Sequence, residues 1–203
     1  DYFQELRSTC RTPALHLMEY YGLLKDGRLH HKQLKIELDR IVDEELDLFI
    51  FHEVGEVLQQ GLNTLVLQAI VGRFPGSVIE FVSRSIKDIL ADTHPHGLLA
   101  HVVREQRQPS LALYMGFLDG LRETLFPEIV DAWRQLADSG DWRVVEQARE
   151  SCWQRNTEIA DIIKEIAALF DQVPDEVLYQ RFNREVIEPL GLDIPEETSA
   201  APQ

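Results

Sequence analysis

Residues 77–91 read SVIEFVSRSIKDILA and carry two independent marks of a helix. Ser77 and Glu80 match a capping box, in which the serine side chain accepts a hydrogen bond from the glutamate amide and the glutamate reaches back. Apolar residues then recur every three or four positions, which places them on one helix face. These residues are Val78, Ile79, Val82, Ile86, Ile89 and Leu90. The segment therefore predicts an amphipathic helix with its apolar face against a core.

The same helical period extends along the chain in both directions, with short turns between the segments. The longest predicted helix runs from about residue 29 to residue 60. We therefore predict an all-α fold, a bundle of about seven to nine amphipathic helices in one domain over residues 1–195. Residues 196–203, EETSAAPQ, lack a large apolar residue and predict a disordered tail.

The charge balance excludes some classes of partner. The 203 residues include 35 acidic and 20 basic side chains, a formal net charge of −15. Such a surface repels phosphate backbones and anionic lipids, so we expect neither nucleic-acid nor membrane binding. Two cysteines, Cys10 and Cys152, lie outside any CxxC pair and predict free thiols in a soluble cytoplasmic protein.

The candidate chemistry lies in residues 44–56, EELDLFIFHEVGE, within the longest predicted helix. Positions 45, 49, 52 and 56 are separated by four, three and four residues, so Glu45, Phe49, His52 and Glu56 share a helix face. Carboxylates and an imidazole are the ligands that a divalent metal takes inside a helical bundle. We therefore interpret Glu45, His52 and Glu56 as candidate metal ligands.

Further ligands are expected from the end of the capped helix and the DTHPHG segment that follows it. Asp88 and Asp92 are four residues apart, and His94 and His96 flank a proline. One of these aspartates, with His94, His96 or His101, would complete the metal site. Mixed carboxylate and imidazole ligands suit Mn, Fe or Zn without distinguishing among them. A bound metal would activate a water molecule, which indicates a metal-dependent hydrolase.

A structural explanation accounts for the same pattern. In it, Glu45, His52 and Glu56 form a solvated stripe on a long helix whose apolar residues pack inward, and Asp88 is a surface charge. The protein would then be a non-enzymatic interaction or regulatory module that forms a homo-oligomer or binds a protein partner. An exposed apolar face would favour this alternative. The discriminating feature is whether the polar side chains converge with Asp88 or His94 in space.

Residues 52–58, HEVGEVL, resemble the metal-binding helix of the HD-domain phosphohydrolases, which are also all-α. The resemblance is confined to this stretch. It implies an upstream histidine ligand, here His30 or His31, and a distant aspartate ligand, here Asp88 or Asp92.

The sequence departs from this motif and from other metal motifs. Glu53 stands where the HD-domain family has the aspartate of its His-Asp pair, and the longer side chain would shift the metal. Glu56 occupies the position of the second histidine in the HExxH pattern of zinc proteases. The paired Glu-x-x-His motifs of ferritin-like sites do not occur in the sequence. The ligand pattern therefore predicts a metal site without assigning a known motif.

Overall fold

A computed structural model of the protein confirms the all-α fold class, and the structure is 79% helical. It describes residues 12–25, 27–118 and 120–192. The helices are α1 (Thr12–Tyr20), α2 (His31–Leu58), α3 (Thr64–Arg73), α4 (Val78–Thr93), α5 (Leu98–Glu105), α6 (Gln108–Phe117), α7 (Gly120–Leu125), α8 (Glu128–Ser139), α9 (Arg143–Ala167) and α10 (Asp175–Phe182).

Short irregular elements complete the fold. Two-residue strands, β1 (Leu24–Lys25) and β2 (Arg28–Leu29), pair antiparallel between α1 and α2. A π-helical turn at Asn183–Ile187 and a 3-10 turn at Glu188–Leu190 follow α10. The predicted tail at 196–203 lies outside the described residues. Within the described ranges, no helix combines the length and apolar character that crossing a bilayer requires.

Helix α4 lies at the centre of the fold and packs against α2, α3, α7 and α9. Its predicted cap is present, because the Ser77 side chain accepts a hydrogen bond from the Glu80 amide at 3.3 Å. The Glu80 carboxylate reaches back to the amide of Gly76 at 2.7 Å rather than to that of Ser77. The predicted apolar stripe is buried in the core, with Ile86 and Ile89 fully inaccessible to solvent. Local sequence therefore specifies both the start and the inner face of this helix.

Helix α9 holds the carboxyl end of α4 in place. The buried Arg149 donates a hydrogen bond to the carbonyl of Thr93 at 2.7 Å, and its guanidinium also binds Glu146. The end of a helix leaves carbonyl groups without partners inside the helix, so this contact satisfies one of them. Because Asp92 precedes Thr93, the same contact fixes the backbone next to a candidate site residue.

Helix α2 packs across α4 through a narrow face. Its buried residues are Glu45, Leu48 and Gly55. The opposite side exposes large apolar residues, among them Phe49 and Ile50. The four-residue spacing predicts that Glu45 and Phe49 share a face, but Glu45 is buried whereas Phe49 faces solvent.

Candidate functional site

The centre of the site is a hydrogen bond between α2 and α4. Nδ1 of His52 lies 2.7 Å from Oδ1 of Asp92, whose side chain is fully buried. The other carboxylate oxygen of Asp92 accepts a hydrogen bond from Arg122 of α7. A carboxylate can only accept, so the hydrogen lies on Nδ1 of His52. In the neutral imidazole, Nε2 is therefore the nitrogen with a free lone pair.

Nε2 of His52 faces the carboxylates of its own helix. It lies 3.8 Å from Oε2 of Glu56, and the ligand atoms of His52, Glu53 and Glu56 all lie within 4.8 Å of one another. The other oxygen of Glu56 is bound by Lys87 of α4. Glu53 is exposed, whereas His52 and Glu56 are half-buried, so the group lies at the protein surface. One nitrogen of His52 and the carboxylates of two glutamates thus lie close together, and Asp92 binds the other nitrogen of the same ring.

The charges around Asp92 shift the pKa values of its neighbours. The hydrogen bond from Asp92 raises the pKa of His52, although burial opposes the rise. Burial raises the pKa of Asp88. The positive charge of Arg122 lowers this pKa, and the negative charge of Asp92 raises it further. Burial also raises the pKa of Tyr114 well above its ordinary value, and the negative charge of Asp92 contributes. The network therefore makes the His52 imidazole more basic and opposes a second ionised acid beside Asp92.

A polar cavity of about 190 Å³ adjoins the two carboxylates on the side of Lys87. It lies between α2, α4 and the start of α3. The lining residues are Glu53, Glu56, Val57, Gln59, Asn63, Thr64 and Lys87. The cavity is large enough for several water molecules or a small ligand next to the carboxylates.

Glu45 belongs to a separate buried network near α1. Its carboxylate accepts hydrogen bonds from the Tyr21 hydroxyl at 2.5 Å and from Arg107 at 3.2 Å. Position 45 lies about 10 Å along the helix axis from His52. His30, which the HD-domain resemblance implies as a ligand, caps the opposite end of α2, where Nδ1 accepts a hydrogen bond from a backbone amide. The structure therefore does not bring Glu45 or His30 to the His52 group.

The other candidate histidines make aromatic contacts. The ring of His94 packs edge-on against Trp153 with 5.0 Å between centroids, and its Nδ1 accepts a hydrogen bond from the amide of His96. His101 stacks on Phe51 at 4.0 Å. Burial lowers the pKa of both His94 and His101. Of the predicted ligands, His52 hydrogen-bonds Asp92 and lies 3.8 Å from Glu56, whereas His94 makes a different contact.

Three participants were not anticipated from the sequence in these roles. Arg122 pairs with Asp92, Lys87 pairs with Glu56, and Glu53 joins the ligand group. A buried aspartate requires a cationic or hydrogen-bonding partner. This general rule predicts a partner for Asp92 but does not identify it as Arg122. Glu53 lies about 100° around the helix from His52, but its side chain is long enough to reach the same point.

Fold and site together define an all-α protein with a buried aspartate–histidine pair behind a surface group of carboxylates. The chain belongs to the family of unknown function DUF6866, C-terminal domain, whose family model matches residues 1–185. No curated protein and no solved structure matches the chain.

Proposed function

We propose that this protein binds a divalent metal ion through His52, Glu53 and Glu56. The observation that carries the proposal is the 2.7 Å hydrogen bond between His52 and Asp92. Histidines that bind metals commonly donate their other ring N–H to a carboxylate, which fixes the ring orientation and makes the ligating nitrogen more basic. Here that contact leaves Nε2 free, 3.8 Å from Oε2 of Glu56, and Glu53 belongs to the same group.

The contacts of Glu56 and Asp92 assign them different roles. Asp92 is a positioning residue rather than a ligand, because His52 and Arg122 engage both of its oxygens. The two carboxylate oxygens of Glu56 have different neighbours. Oε1 binds Lys87, and Oε2 lies toward His52. Lys87 therefore orients this carboxylate and leaves one oxygen for the metal.

The ligand chemistry suits Mn, Fe or Zn without selecting one of them. Three protein ligands leave coordination positions for water, as in hydrolytic metal sites. The adjoining cavity of about 190 Å³ offers space for a small substrate. We therefore propose that the bound metal supports hydrolysis of a small substrate. A cytoplasmic location and a lack of nucleic-acid binding stay predictions from the cysteine content and the net charge.

The proposal is tested by reconstituting chelator-treated protein with Mn²⁺, Fe²⁺ or Zn²⁺ and measuring bound metal by elemental analysis. We expect near-stoichiometric binding that His52→Ala and Glu56→Gln abolish. Asp92→Asn should weaken the affinity by about 10- to 100-fold, the usual effect of removing such a positioning partner. His96→Ala, which changes an exposed histidine, is the matched control. Absent binding, or equal binding by His52→Ala, would disprove the site.

An interaction module is the second candidate function. The exposed apolar side of α2 favours it, because large apolar patches on a protein surface commonly mark contacts with other molecules. The metal site depends on His52, whereas the interaction depends on the exposed apolar residues of α2. The two functions are therefore separable by experiment.

A further inference from the structure

A row of apolar side chains on α2 faces away from the rest of the protein. We call it the α2 face, and its members are Leu38, Val42, Leu46, Phe49 and Ile50. Their exposed fractions lie between 46% and 58%. Spacings of three and four residues make the row continuous along the helix. A contiguous row of large, exposed apolar side chains commonly marks a contact with another molecule.

The two ends of the α2 face carry opposite charges. Exposed Lys32 and Lys35 lie toward its amino-terminal end. Exposed Glu53 and half-exposed Glu56 lie toward its carboxy-terminal end. At about 100° per residue, these four charges fall in the same sector of the helix as the apolar row. Exposed Asp39 falls in this sector too. The α2 face is thus an apolar strip, interrupted by Asp39, with two lysines at one end and two glutamates at the other.

The charges of the α2 face are complementary to those of a second copy of this chain in the opposite direction. We propose that two copies pair through the α2 face as an antiparallel, two-fold symmetric helix pair. With the symmetry axis at position 44, Leu38 lies opposite Ile50, and Val42 lies opposite Leu46. A two-fold interface brings the same surface of both copies together, so every contact occurs twice.

The same register also brings opposite charges of the two copies together. It brings Lys35 opposite Glu53 and Lys32 opposite Glu56 at both ends of the pair. A parallel pair would place each lysine beside the same lysine and each glutamate beside the same glutamate, which is unfavourable. The two apolar pairings and the two ionic pairings therefore favour the antiparallel orientation in this register, which places Phe49 opposite Asp39. The proposal does not depend on metal binding, although Glu53 and Glu56 take part in both.

The association state of the full chain tests this proposal by sedimentation equilibrium in a chelating buffer. We expect a dimer that Leu46→Glu converts to a monomer while the helical circular dichroism is kept. Val177→Glu is the matched control, because Val177 on α10 has the same exposed fraction of 49% as Leu46. This control should remain dimeric. A monomeric wild-type chain, or a dimeric Leu46→Glu variant, would overturn the proposal.

Charge reversal tests the orientation separately. Lys35→Glu and Glu53→Lys should each weaken the dimer, by about tenfold in dissociation constant, because each change affects two symmetry-related pairs. The double variant Lys35→Glu/Glu53→Lys restores opposite charges and should return the dissociation constant toward the wild-type value. If the double variant is as weak as the two single effects combined, the antiparallel register is wrong.

Discussion

Gly55 of α2 lies directly against the backbone of Ala91 in α4. A β-carbon at position 55 would lie 2.0 Å from the carbonyl oxygen of Ala91 and 2.7 Å from its carbonyl carbon. A backbone carbonyl cannot rotate away as a flexible side chain can, so the crossing requires glycine. Because His52 and Asp92 flank this point, the close approach also sets the distance between them.

Gly55→Ala should therefore separate α2 from α4. We expect a loss of at least about 1–3 kcal/mol in the free energy of unfolding, the usual cost of overpacking. The hydrogen bond between His52 and Asp92 should weaken at the same time. Urea denaturation measures the first effect, and NMR titration of His52 measures the second as a lower pKa.

Gly72→Ala is the control for this substitution. Gly72 lies within α3, and a β-carbon there would meet no atom within 4 Å. Replacing glycine by alanine inside a helix favours folding by up to about 1 kcal/mol. Equal stabilities for the Gly55→Ala and Gly72→Ala variants would contradict the close crossing.

His52 should titrate above its ordinary pKa of 6.5 in the metal-free protein, because Asp92 stabilises the imidazolium. Because the pKa of His52 is raised in the folded state, its pairing with Asp92 contributes to the free energy of unfolding, and this contribution is complete below pH 6.5. The contribution is lost as the pH rises through the folded-state pKa. Asp92→Asn should lower the pKa of His52 and leave His101, a histidine in another contact, unchanged. NMR titration of both imidazoles checks this, and an unaltered His52 in the variant would contradict it.

The sequence predicts local features of this fold better than it predicts which faces meet. The cap at Ser77 and the apolar stripe of α4 depend on neighbours in the chain, and both are present. In α2, helical spacing identifies residues that share a side but does not show which side packs inward. The approach of Gly55 to Ala91 turns Glu45 inward and leaves Phe49 exposed.

The same limit applies to the candidate site. His52 and Asp92 are 40 residues apart, and no local spacing predicts that they meet. Both residues are nevertheless candidates from the sequence, because carboxylates and imidazoles are common ligands of divalent metals. The sequence does not identify Arg122, since its pairing depends on how α7 packs against α4. Tertiary packing, rather than residue type, completes the network.

Cys152 should be unreactive in the folded protein. Its side chain is fully buried in α9, and burial raises the pKa of the thiol, so little reactive thiolate forms near neutral pH. Iodoacetamide labelling followed by peptide mass spectrometry separates Cys152 from Cys10. We expect modification of Cys152 only after unfolding in urea. Rapid labelling in native buffer would show that the thiol is accessible.

Tyr21→Phe should destabilise the protein through Glu45. The hydroxyl of Tyr21 donates a 2.5 Å hydrogen bond to this buried carboxylate, and its removal leaves Arg107 to hold the charge. Loss of a hydrogen bond to a buried charged group costs about 1.5–3 kcal/mol. Urea denaturation should therefore show a lower midpoint. Metal affinity should not change, because Glu45 lies about two helical turns from His52.

Tyr179→Phe is the matched comparison for that substitution. The Tyr179 hydroxyl is also buried, but it has no hydrogen-bond partner within residues 12–25, 27–118 and 120–192. Removing a polar group that lacks a partner relieves its desolvation, so this variant should keep or slightly exceed the wild-type stability. Equal losses in both variants would mean that the aromatic rings, rather than the contact with Glu45, account for the effect. A loss confined to Tyr21→Phe would identify Glu45 as a structural acid.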